Sequence, residues 1–347
     1  MYKQNDPGLI LDDDILTEAH IPHIISARSA HVNELGACIA PVFAGRKPRS
    51  VWLYGSPGTG KTTVASHVLR ELNRQKGIPG VYVNCWKYNT FYAVLEFILD
   101  QLRRGFGDAR DKRVKLQQFE RLVKDRPFII VLDEIDVVPS KERNTMIYNL
   151  SSVGNVGLIL ISESRYPILA LEDRVRSRLN PCTLEFKPYT VDQLVEILTQ
   201  RAAGALHPKA WDKRTLELVA EIAGGDARVA IQTLRNAASY AQAAGLERIL
   251  PEHIEKGYND TGGLRRTYEL KRLTEHHRLL YDIIKENPGI ASPELYQAYL
   301  QRCEINNWKP VASRTYSLYL KRMTELKLIK AERARVKGRV HAFRVWK

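Results

Sequence analysis

The length, composition and charge of the chain limit what it can be. Its 347 residues exceed the usual size of one domain, so we expect two or three, and 44% hydrophobic with 27% charged residues excludes a largely disordered chain. The net charge of +14 is uneven, because residues 261–347 contain 19 Lys or Arg and 8 Asp or Glu, a net +11. This asymmetry predicts a C-terminal module that binds a polyanion, nucleic acid being the first candidate; a solvated basic face is the alternative.

Cysteine usage and the apolar pattern indicate the compartment. The four cysteines are widely scattered and form no CxxC pair, which is typical of a reducing compartment and argues against structural zinc. The first residues lack the basic start and apolar run of a signal peptide, and no apolar stretch approaches the ~20 residues that spanning a bilayer needs. We therefore expect a soluble, cytoplasmic protein.

The first half of the chain alternates between apolar runs and amphipathic stretches. The pattern predicts helices that begin after a glycine-rich loop, at residue 90 and at residue 112, and strands over 51–54, 80–85, 128–136 and 156–164. Such alternation favours an α/β fold with a parallel sheet covered on both faces. Parallel sheets bind ligands at the carboxyl ends of their strands, where three of these strands carry polar residues, so the polar ends indicate one site.

After residues 182–190 the pattern becomes helical. Amphipathic stretches predict a small all-helical domain with helices over 191–203, 214–223, 227–244 and 251–257. Residues 257–266 are polar and rich in turn formers, so we expect a linker there. The last segment predicts helices over 275–286, from residue 292 and over 312–326, followed by two β-like stretches; Leu318, Met323, Leu326 and Ile329 are expected to form one apolar stripe.

The loop between the first strand and its helix is a phosphate-binding motif. Residues 55–62, "GSPGTGKT", match GxxxxGK[ST] without a gap. Glycines let backbone N–H groups approach phosphates, Lys61 supplies a cation for the β- and γ-phosphates, and the Thr62 hydroxyl is a magnesium ligand.

Two acids end the strand "FIIVL". Asp133 is suited to hold magnesium through water, and Glu134 is suited to polarise an attacking water. The sequence therefore predicts ATP or ADP with Mg²⁺ as cofactors.

Several motifs together resemble one family. The motifs are "YGSPGTGKT", "YVNCWKYNT", "VLDEID", "LEDRVRSRL", "FKPYTVDQL" and "GGDARVAIQTLRNA". In their order and spacing the chain resembles AAA+ ATPases and, more narrowly, the archaeal origin-recognition and cell-division-cycle (Orc/Cdc) type replication initiators, over nearly its whole length. The resemblance implies an AAA+ base domain over 1–185 with an N-terminal extension, a helical lid over 186–262 and a winged-helix DNA-binding domain over 263–347.

The resemblance also assigns residues to the nucleotide. The residues implied to bind the cofactor are Gly55, Pro57, Gly58, Thr59, Gly60, Lys61, Thr62, Thr63, Tyr189, Arg201 and Arg228. Arg228 matches the sensor-2 arginine of the lid, a surface arginine being the alternative, whereas Tyr189 is equally compatible with a core position. Glu134 is implied as the hydrolytic base and Arg178 as the arginine finger that completes a neighbour's site, with Arg174 and Arg176 as competitors.

The sequence departs from the family at the sensor-1 position. Asparagine is common there, and this chain has Glu163. An ionised glutamate only accepts hydrogen bonds and repels a γ-phosphate, so either Ser162 or Ser164 substitutes for it or hydrolysis is weak. We therefore expect ATP binding more than turnover, with any hydrolysis serving as a switch.

Two basic regions are candidates for DNA. In the C-terminal helix and hairpin the candidates are Arg314, Thr315, Lys321, Arg322, Arg335, Lys337, Gly338 and Arg339. The second region is the extra helix that the family inserts after "YVNC…YNT". Near its start lie Lys87, Tyr88 and Asn89. Arg103 and Arg104 lie at its end, although a basic pair there also complements the dipole of a helix C-terminus.

His276 and His277 are adjacent on a helix and point apart, so we expect no metal pair.

These observations lead to three functional hypotheses. The first is an ATP-switched initiator that binds double-stranded origin DNA in the nucleoid, joins initiator paralogues and helps load the minichromosome-maintenance helicase. The second is a clamp-loader-like ATPase, which predicts robust hydrolysis and an oligomerising helical collar; the basic hairpin and Glu163 disfavour it. The third is a diverged or mobile-element paralogue that regulates by binding ATP and DNA without recruiting a helicase.

Overall fold

The computed structural model describes residues 8–102, 112–124, 126–326, 328–333 and 341–346. The chain divides into two compact units, Met1–Tyr258 and Asn259–Lys347. Within the described ranges, no helix is both long and apolar enough to cross a membrane.

The first unit is built on a parallel sheet. Its strands are β1 (Val51–Tyr54), β2 (Gly80–Asn84), β3 (Phe128–Asp133), β4 (Val156–Ser162) and β5 (Cys182–Glu185), in the spatial order β2-β3-β4-β1-β5. Every neighbouring pair is parallel. β3 and β4 are buried along their whole length, as expected of central strands covered on both faces. The α/β prediction is confirmed, whereas β5 was not among the predicted strands.

Helices cover both faces of this sheet. They are α1 (Ser29–Ile39), α2 (Lys61–Lys76), α3 (Phe91–Leu102), α4 (Lys112–Val123), α5 (Ser140–Ser152), α6 (Tyr166–Leu169) and α7 (Asp173–Leu179). Alternate residues of β1 enter different cores: Trp52 packs with side chains of α3 and α5, and Leu53 packs with side chains of α1 and α2. In parallel sheets ligands bind at the carboxyl ends of the strands, and here Tyr54, Asn84, Asp133 and Ser162 mark that edge on β1 to β4.

A helical layer with its own core completes the first unit. Its helices are α8 (Val191–Ala205), α9 (Lys213–Ala223), α10 (Ala227–Ala243) and the first part of α11 (Pro251–Arg272), up to Tyr258. The first three begin at Thr190, Asp212 and Asp226, whose side chains accept hydrogen bonds from the first helical turn. Leu9 and Leu16 of the N-terminal segment, residues 8–28, pack into the same core.

The predicted linker over residues 257–266 contains the boundary between the two units, but the turn-rich conformation expected there is wrong. The backbone of this stretch is helical, because α11 extends without a break from Pro251 to Arg272. Gly262 and Gly263 each cost about 1 kcal/mol of helix propensity, but within α11 no proline follows Pro251 to remove a hydrogen bond. The turn-forming residues of this stretch are therefore not enough to interrupt the helix.

The second unit has the element order of a winged helix. It contains α12 (Glu275–Glu286), β6 (Ile290–Ala291), α13 (Ser292–Ile305), α14 (Ser313–Glu325), β7 (Ile329–Arg333) and β8 (His341–Val345). The strands form an antiparallel sheet in the order β6-β8-β7. Its core joins Leu280, Ile284, Tyr299 and Met323, among others. The two residues of β6 are too few to give an alternation that sequence analysis detects.

The predicted apolar stripe of Leu318, Met323, Leu326 and Ile329 is wrong at Leu318, and Ile329 lies on β7, beyond the end of the helix. Leu318 is 57% exposed, whereas Tyr316, Leu320 and Met323 are buried. Their spacings of four and three residues follow one helical face, and Leu318 lies about 200° around the helix from Tyr316. The five-residue step from Leu318 to Met323 does not fit that face.

Candidate functional site

The loop between β1 and α2 has the backbone of a phosphate cradle. Gly58 and Gly60 have φ angles of 71° and 90°, in the left-handed region that other residues rarely adopt. Gly60 is also the N-cap of α2, so the positive end of the helix dipole faces the loop. The Lys61 ammonium donates to the carbonyls of Gly55 and Ser56 at 2.7 and 2.8 Å. The lysine therefore folds back over the loop, at the place where phosphates are held in such motifs.

Residues of the helical layer pack directly on this loop. The Ala227 N–H donates to the Gly58 carbonyl at 3.0 Å, and a Cβ on Gly58 would lie 1.8 Å from the carboxylate of Asp226. A Cβ on Gly60 would lie 2.2 Å from the hydroxyl of Tyr189. Glycine is therefore required at both positions for the two layers to meet, and the site lies between them.

Two acids follow the end of β3, as predicted. Asp133 is 3% exposed, and its Oδ2 accepts hydrogen bonds from the Thr62 and Tyr82 hydroxyls, each at 2.7 Å. Glu134 comes next with a φ of 56°, and its N–H donates to Asp133 Oδ1 at 2.8 Å. The structure thus brings Thr62 and Asp133 together. Tyr82 was missed by the sequence analysis, although it lies two residues before the end of β2.

The charges around Lys61 show which groups converge on it. Burial lowers the pKa of Lys61, and the negative charges of Glu134, Asp133 and Glu163 oppose that effect. The positive charge of Arg228 lowers the same pKa further. Burial and Asp133 together raise the pKa of Tyr82 far above its ordinary value, so its hydroxyl remains a donor. These charges come from β3, β4 and α10, as the prediction of a single site requires.

The end of β4 presents a carboxylate. Glu163 directly follows the strand, and its N–H donates to Asp136 Oδ2 at 3.4 Å. Ser162 is 1% exposed; its hydroxyl accepts from the Trp52 indole at 2.8 Å and donates to the Ser164 carbonyl at 2.7 Å. Ser162 is therefore engaged within the protein and is a poor replacement for asparagine. Ser164 is exposed, and its hydroxyl accepts from the Tyr166 N–H at 3.4 Å, so its role at this position stays a prediction. Glu163 is one of three carboxylates whose charge acts on Lys61.

Arg28 joins the glycine loop to the segment that follows β5. Its Nε donates to the Thr59 carbonyl at 3.1 Å, and its Nη2 donates to the Lys187 carbonyl. The guanidinium lies 4.0 Å from the centre of the Tyr189 ring, over its face, and the residue is 4% exposed. Burial raises the pKa of Tyr189, an effect that Arg28 opposes. Sequence analysis missed this role, because Arg28 contacts residues far along the chain. Thr59 and Tyr189 lie 31 and 161 positions after it, and no local motif marks such an arginine.

The other predicted nucleotide ligands occupy different surroundings. Arg228, in the first turn of α10, lies 3.9 Å from Asp226 and close enough to Lys61 to shift its pKa. Arg201 is buried; its terminal nitrogens donate to the carbonyls of Ile15 and His20 at 2.5 and 2.8 Å, so it holds the N-terminal segment. Its contact with a nucleotide stays a prediction, as do those of Pro57 and Thr63.

The arginines of α7 differ in their partners. Arg178 donates to the Ser152 hydroxyl at 2.7 Å, and its guanidinium lies 4.6 Å from the Tyr148 ring centre. Arg174 and Arg176 form ion pairs with Glu172 and Asp173, and the Arg174 guanidinium also lies 5.7 Å from the Tyr148 ring centre. All three are exposed, and the contacts of Arg178 lie on α5.

The insertion after β2 has the predicted helix. Both α3 and α4 lie between β2 and β3 in the chain. Lys87 is exposed, with its ammonium 5.6 Å from the ring centre of Tyr88, which in turn stacks on Phe97 at 4.5 Å. Tyr88 is therefore half-buried against α3, and Lys87 is the more accessible of the two. Arg103 and Arg104 lie outside the described residues.

The DNA candidates of the second unit are partly described. Arg314, Lys321 and Arg322 are exposed on α14, and Thr315 is half-buried. Arg335, Lys337, Gly338 and Arg339 lie outside the described residues.

The two neighbouring histidines contact different side chains of the second unit. The His277 ring lies 3.7 Å from the Tyr319 ring centre, and burial lowers its pKa to about 4. The Nδ1 of His276 lies 2.9 Å from the Tyr299 hydroxyl, and its ring lies 5.5 Å from the Trp308 ring centre.

Comparisons with known proteins agree with this architecture. Residues 26–161 match the AAA ATPase domain, and residues 195–259 match the Cdc6 AAA+ ATPase-type lid domain. ORC1-type DNA replication protein 1 of Halobacterium salinarum is 31% identical over 301 residues, which are 85% of this chain and 97% of that protein. ORC1-type DNA replication protein 1 of Aeropyrum pernix is 31% identical over 340 residues, 91% of this chain and 86% of that protein.

A solved structure extends the likeness to the second unit. The Aeropyrum pernix ORC1 protein, solved in complex with DNA, has a TM-score of 0.75 and 27% identity, and the match covers 97% of this chain and 94% of that one. Cdc6p from Pyrobaculum aerophilum shares the fold with a TM-score of 0.68 and 22% identity over 97% and 94% of the two chains. The chain therefore belongs to the archaeal Orc/Cdc6 family of AAA+ replication initiators, whose curated relatives are the ORC1-type DNA replication proteins.

Proposed function

We propose that this protein is an ATP-binding replication initiator that binds double-stranded origin DNA and helps load the replicative helicase. The observation that carries the proposal is the direct packing of the helical layer on the glycine loop, through Ala227 and Tyr189. A triphosphate on the loop lies within reach of Arg228 from that layer, so the bound nucleotide fixes the layer against the sheet.

The residues at the loop fit ATP with magnesium. The N–H groups of the loop and the start of α2 bind phosphate oxygens, and Lys61 neutralises the β- and γ-phosphates. The Thr62 hydroxyl and the Asp133 carboxylate form a pair of oxygen donors, the kind that Mg²⁺ prefers. A bound magnesium ion would supply charge neutralisation at the phosphates.

The acids favour slow hydrolysis. Glu134 is held by its left-handed backbone directly after Asp133, where it can accept a proton from an attacking water. Glu163 adds a negative charge that acts on Lys61 from the sensor-1 position, and a carboxylate there repels the γ-phosphate. We therefore infer that ATP serves mainly as a switch. The carboxylate of Glu163 is also compatible with the third hypothesis, a regulator that binds ATP and DNA without recruiting a helicase.

The partner on the basic side is DNA. The exposed cations of α14, the net charge of +11 over residues 261–347 and the likeness to an ORC1 protein solved in complex with DNA all support it. Lys87 is a second DNA candidate, in the first unit. Assembly with initiator paralogues through Arg178 and loading of a minichromosome-maintenance type helicase are inferred from the family alone.

A pair of experiments tests the proposal. The Lys61→Ala variant should lose ATP binding in a fluorescent-nucleotide titration, whereas Lys141→Ala, which removes an exposed lysine on α5, should retain it. Footprinting on origin DNA with and without ATP should show a discrete protected element whose extent depends on ATP in the wild type and not in Lys61→Ala. Unchanged affinity in Lys61→Ala, or protection without sequence preference, contradicts the proposal.

Helicase recruitment separates the initiator from the regulator. Co-sedimentation of a minichromosome-maintenance helicase with protein-bound origin DNA should require the wild-type chain and ATP. Discrete, ATP-dependent DNA binding without helicase recruitment would instead establish the regulator.

A further inference from the structure

The exposed face of α14 combines cations with one large apolar side chain. Leu318 is 57% exposed, and Arg314, Lys321 and Arg322 are exposed at positions four before, three after and four after it. Residues at these spacings lie on one side of a helix. The opposite side carries Tyr316, Leu320 and Met323 into the core of the unit. Leu318 is therefore at the centre of a basic helix face; we call these four residues the α14 face.

Leu318 contributes little to the fold from this position. The side chain leaves more than half of its surface in water and is absent from the core of the second unit. Burial of a leucine is worth roughly 1.5–3 kcal/mol, and most of that gain is not realised here. The gain becomes available when a partner covers the face.

The surrounding charges limit what that partner is. An apolar protein surface that covered Leu318 would also remove water from three cations, at a cost that only matching acids offset. A DNA duplex supplies phosphates for the cations along both edges of the major groove. At the groove floor, the 5-methyl group of thymine is the apolar group that base edges present.

We propose that Leu318 is a specificity residue that contacts a thymine 5-methyl group in the major groove, while the three cations of the α14 face bind flanking phosphates or guanine. This inference rests on the proposed function, since it names the chemistry by which the DNA-binding unit distinguishes one sequence from another. The cations supply affinity, and Leu318 supplies preference for thymine at one base pair.

Removal of a single methyl group from the DNA tests the contact. A duplex sequence is first enriched from a random library with the wild-type chain in the presence of ATP. Each thymine is then replaced in turn by deoxyuridine, which pairs identically and lacks only the 5-methyl group. One replacement should weaken wild-type binding roughly four-fold, the effect expected for one buried methyl group.

Two protein variants test whether the thymine methyl group is contacted by Leu318. Leu318→Ala should bind the thymine and deoxyuridine duplexes equally, because the methyl contact is already lost. Ser317→Ala changes the exposed neighbour, whose hydroxyl donates to the Ser313 carbonyl, and should keep the wild-type discrimination. Because both side chains are exposed, we expect both variants to fold, as thermal unfolding of each will verify.

The outcomes distinguish this inference from the proposed function. Enrichment of a discrete sequence with no thymine that responds to deoxyuridine, or discrimination retained by Leu318→Ala, overturns the role of Leu318 and leaves the initiator proposal standing. Failure of the wild type to enrich any sequence overturns the proposed DNA readout and, with it, this inference.

Discussion

Replacement of Arg28 by alanine should uncouple the glycine loop from the segment after β5. The wild-type guanidinium contacts Thr59 on one side and Lys187 and Tyr189 on the other, so it bridges the loop and the entry to the helical layer. Alanine removes all of these contacts together and leaves the carbonyls of Thr59 and Lys187 without this donor. The effect should therefore reach both stability and nucleotide affinity.

The contacts of Arg28 allow a rough magnitude. Each hydrogen bond from a charged donor contributes about 1.5–3 kcal/mol, and a desolvated cation–π contact about 2 kcal/mol. Because contacts made by one group are not additive, we expect the free energy of unfolding to fall by about 3–5 kcal/mol. For a unit of this size that corresponds to a decrease of roughly 10 °C in the melting temperature. Loss of the ordered Thr59 and Tyr189 should weaken ATP binding about five- to ten-fold.

Calorimetry and a nucleotide titration measure the two effects. The matched control is Arg46→Ala, which removes an exposed arginine of the same unit and should change neither quantity. Arg28→Lys retains the charge but not the planar fork, so it should fall between alanine and the wild type. An Arg28→Ala variant that melts and binds ATP as Arg46→Ala does would refute the bridging role.

Three further changes test separate parts of the structure. Gly58→Ala should lose ATP affinity and stability, because the added Cβ meets the Asp226 carboxylate. Its control is Gly77→Ala, which is also at positive φ but has open space around it. This control should lose only about 1 kcal/mol in thermal unfolding, from backbone strain. Asp133→Asn should abolish the magnesium dependence of ATP binding and leave metal-free affinity nearly unchanged; an equal magnesium response in both proteins contradicts the site. The pKa of His277 is about 4 in the folded state and 6.5 ordinarily, so between these values the unfolded chain binds a proton that the folded chain does not. The free energy of unfolding, measured by denaturant titration, should therefore fall as the pH decreases from about 6.5 to 4. His277→Phe should reduce this pH dependence, and an unchanged dependence would show that His277 is not responsible.

The site could be predicted where local chemistry defines it. The glycine loop, Lys61 and Thr62 form a continuous motif, and Asp133 and Glu134 end an apolar run that only a buried strand explains. The parallel topology then brings these strand ends together, so the contact between Thr62 and Asp133 followed from the pattern alone.

The sequence was less informative where tertiary contacts decide. Arg28 acts through two distant segments, and its neighbours in the chain give no sign of that role. The helix α11 continues through residues whose composition favours turns, so local propensity alone did not predict its length. Leu318 was placed on one apolar stripe with Met323, Leu326 and Ile329, but the buried face of α14 is set by Tyr316, Leu320 and Met323.

Hydrogen exchange with and without ATP and magnesium tests the central claim most directly. If one nucleotide binds between the glycine loop and the helical layer, amides of residues 55–62 and of residues 224–229 should both become protected when ATP is added to the full chain. Protection confined to the loop, or absent from both segments, would contradict a nucleotide enclosed by the two layers.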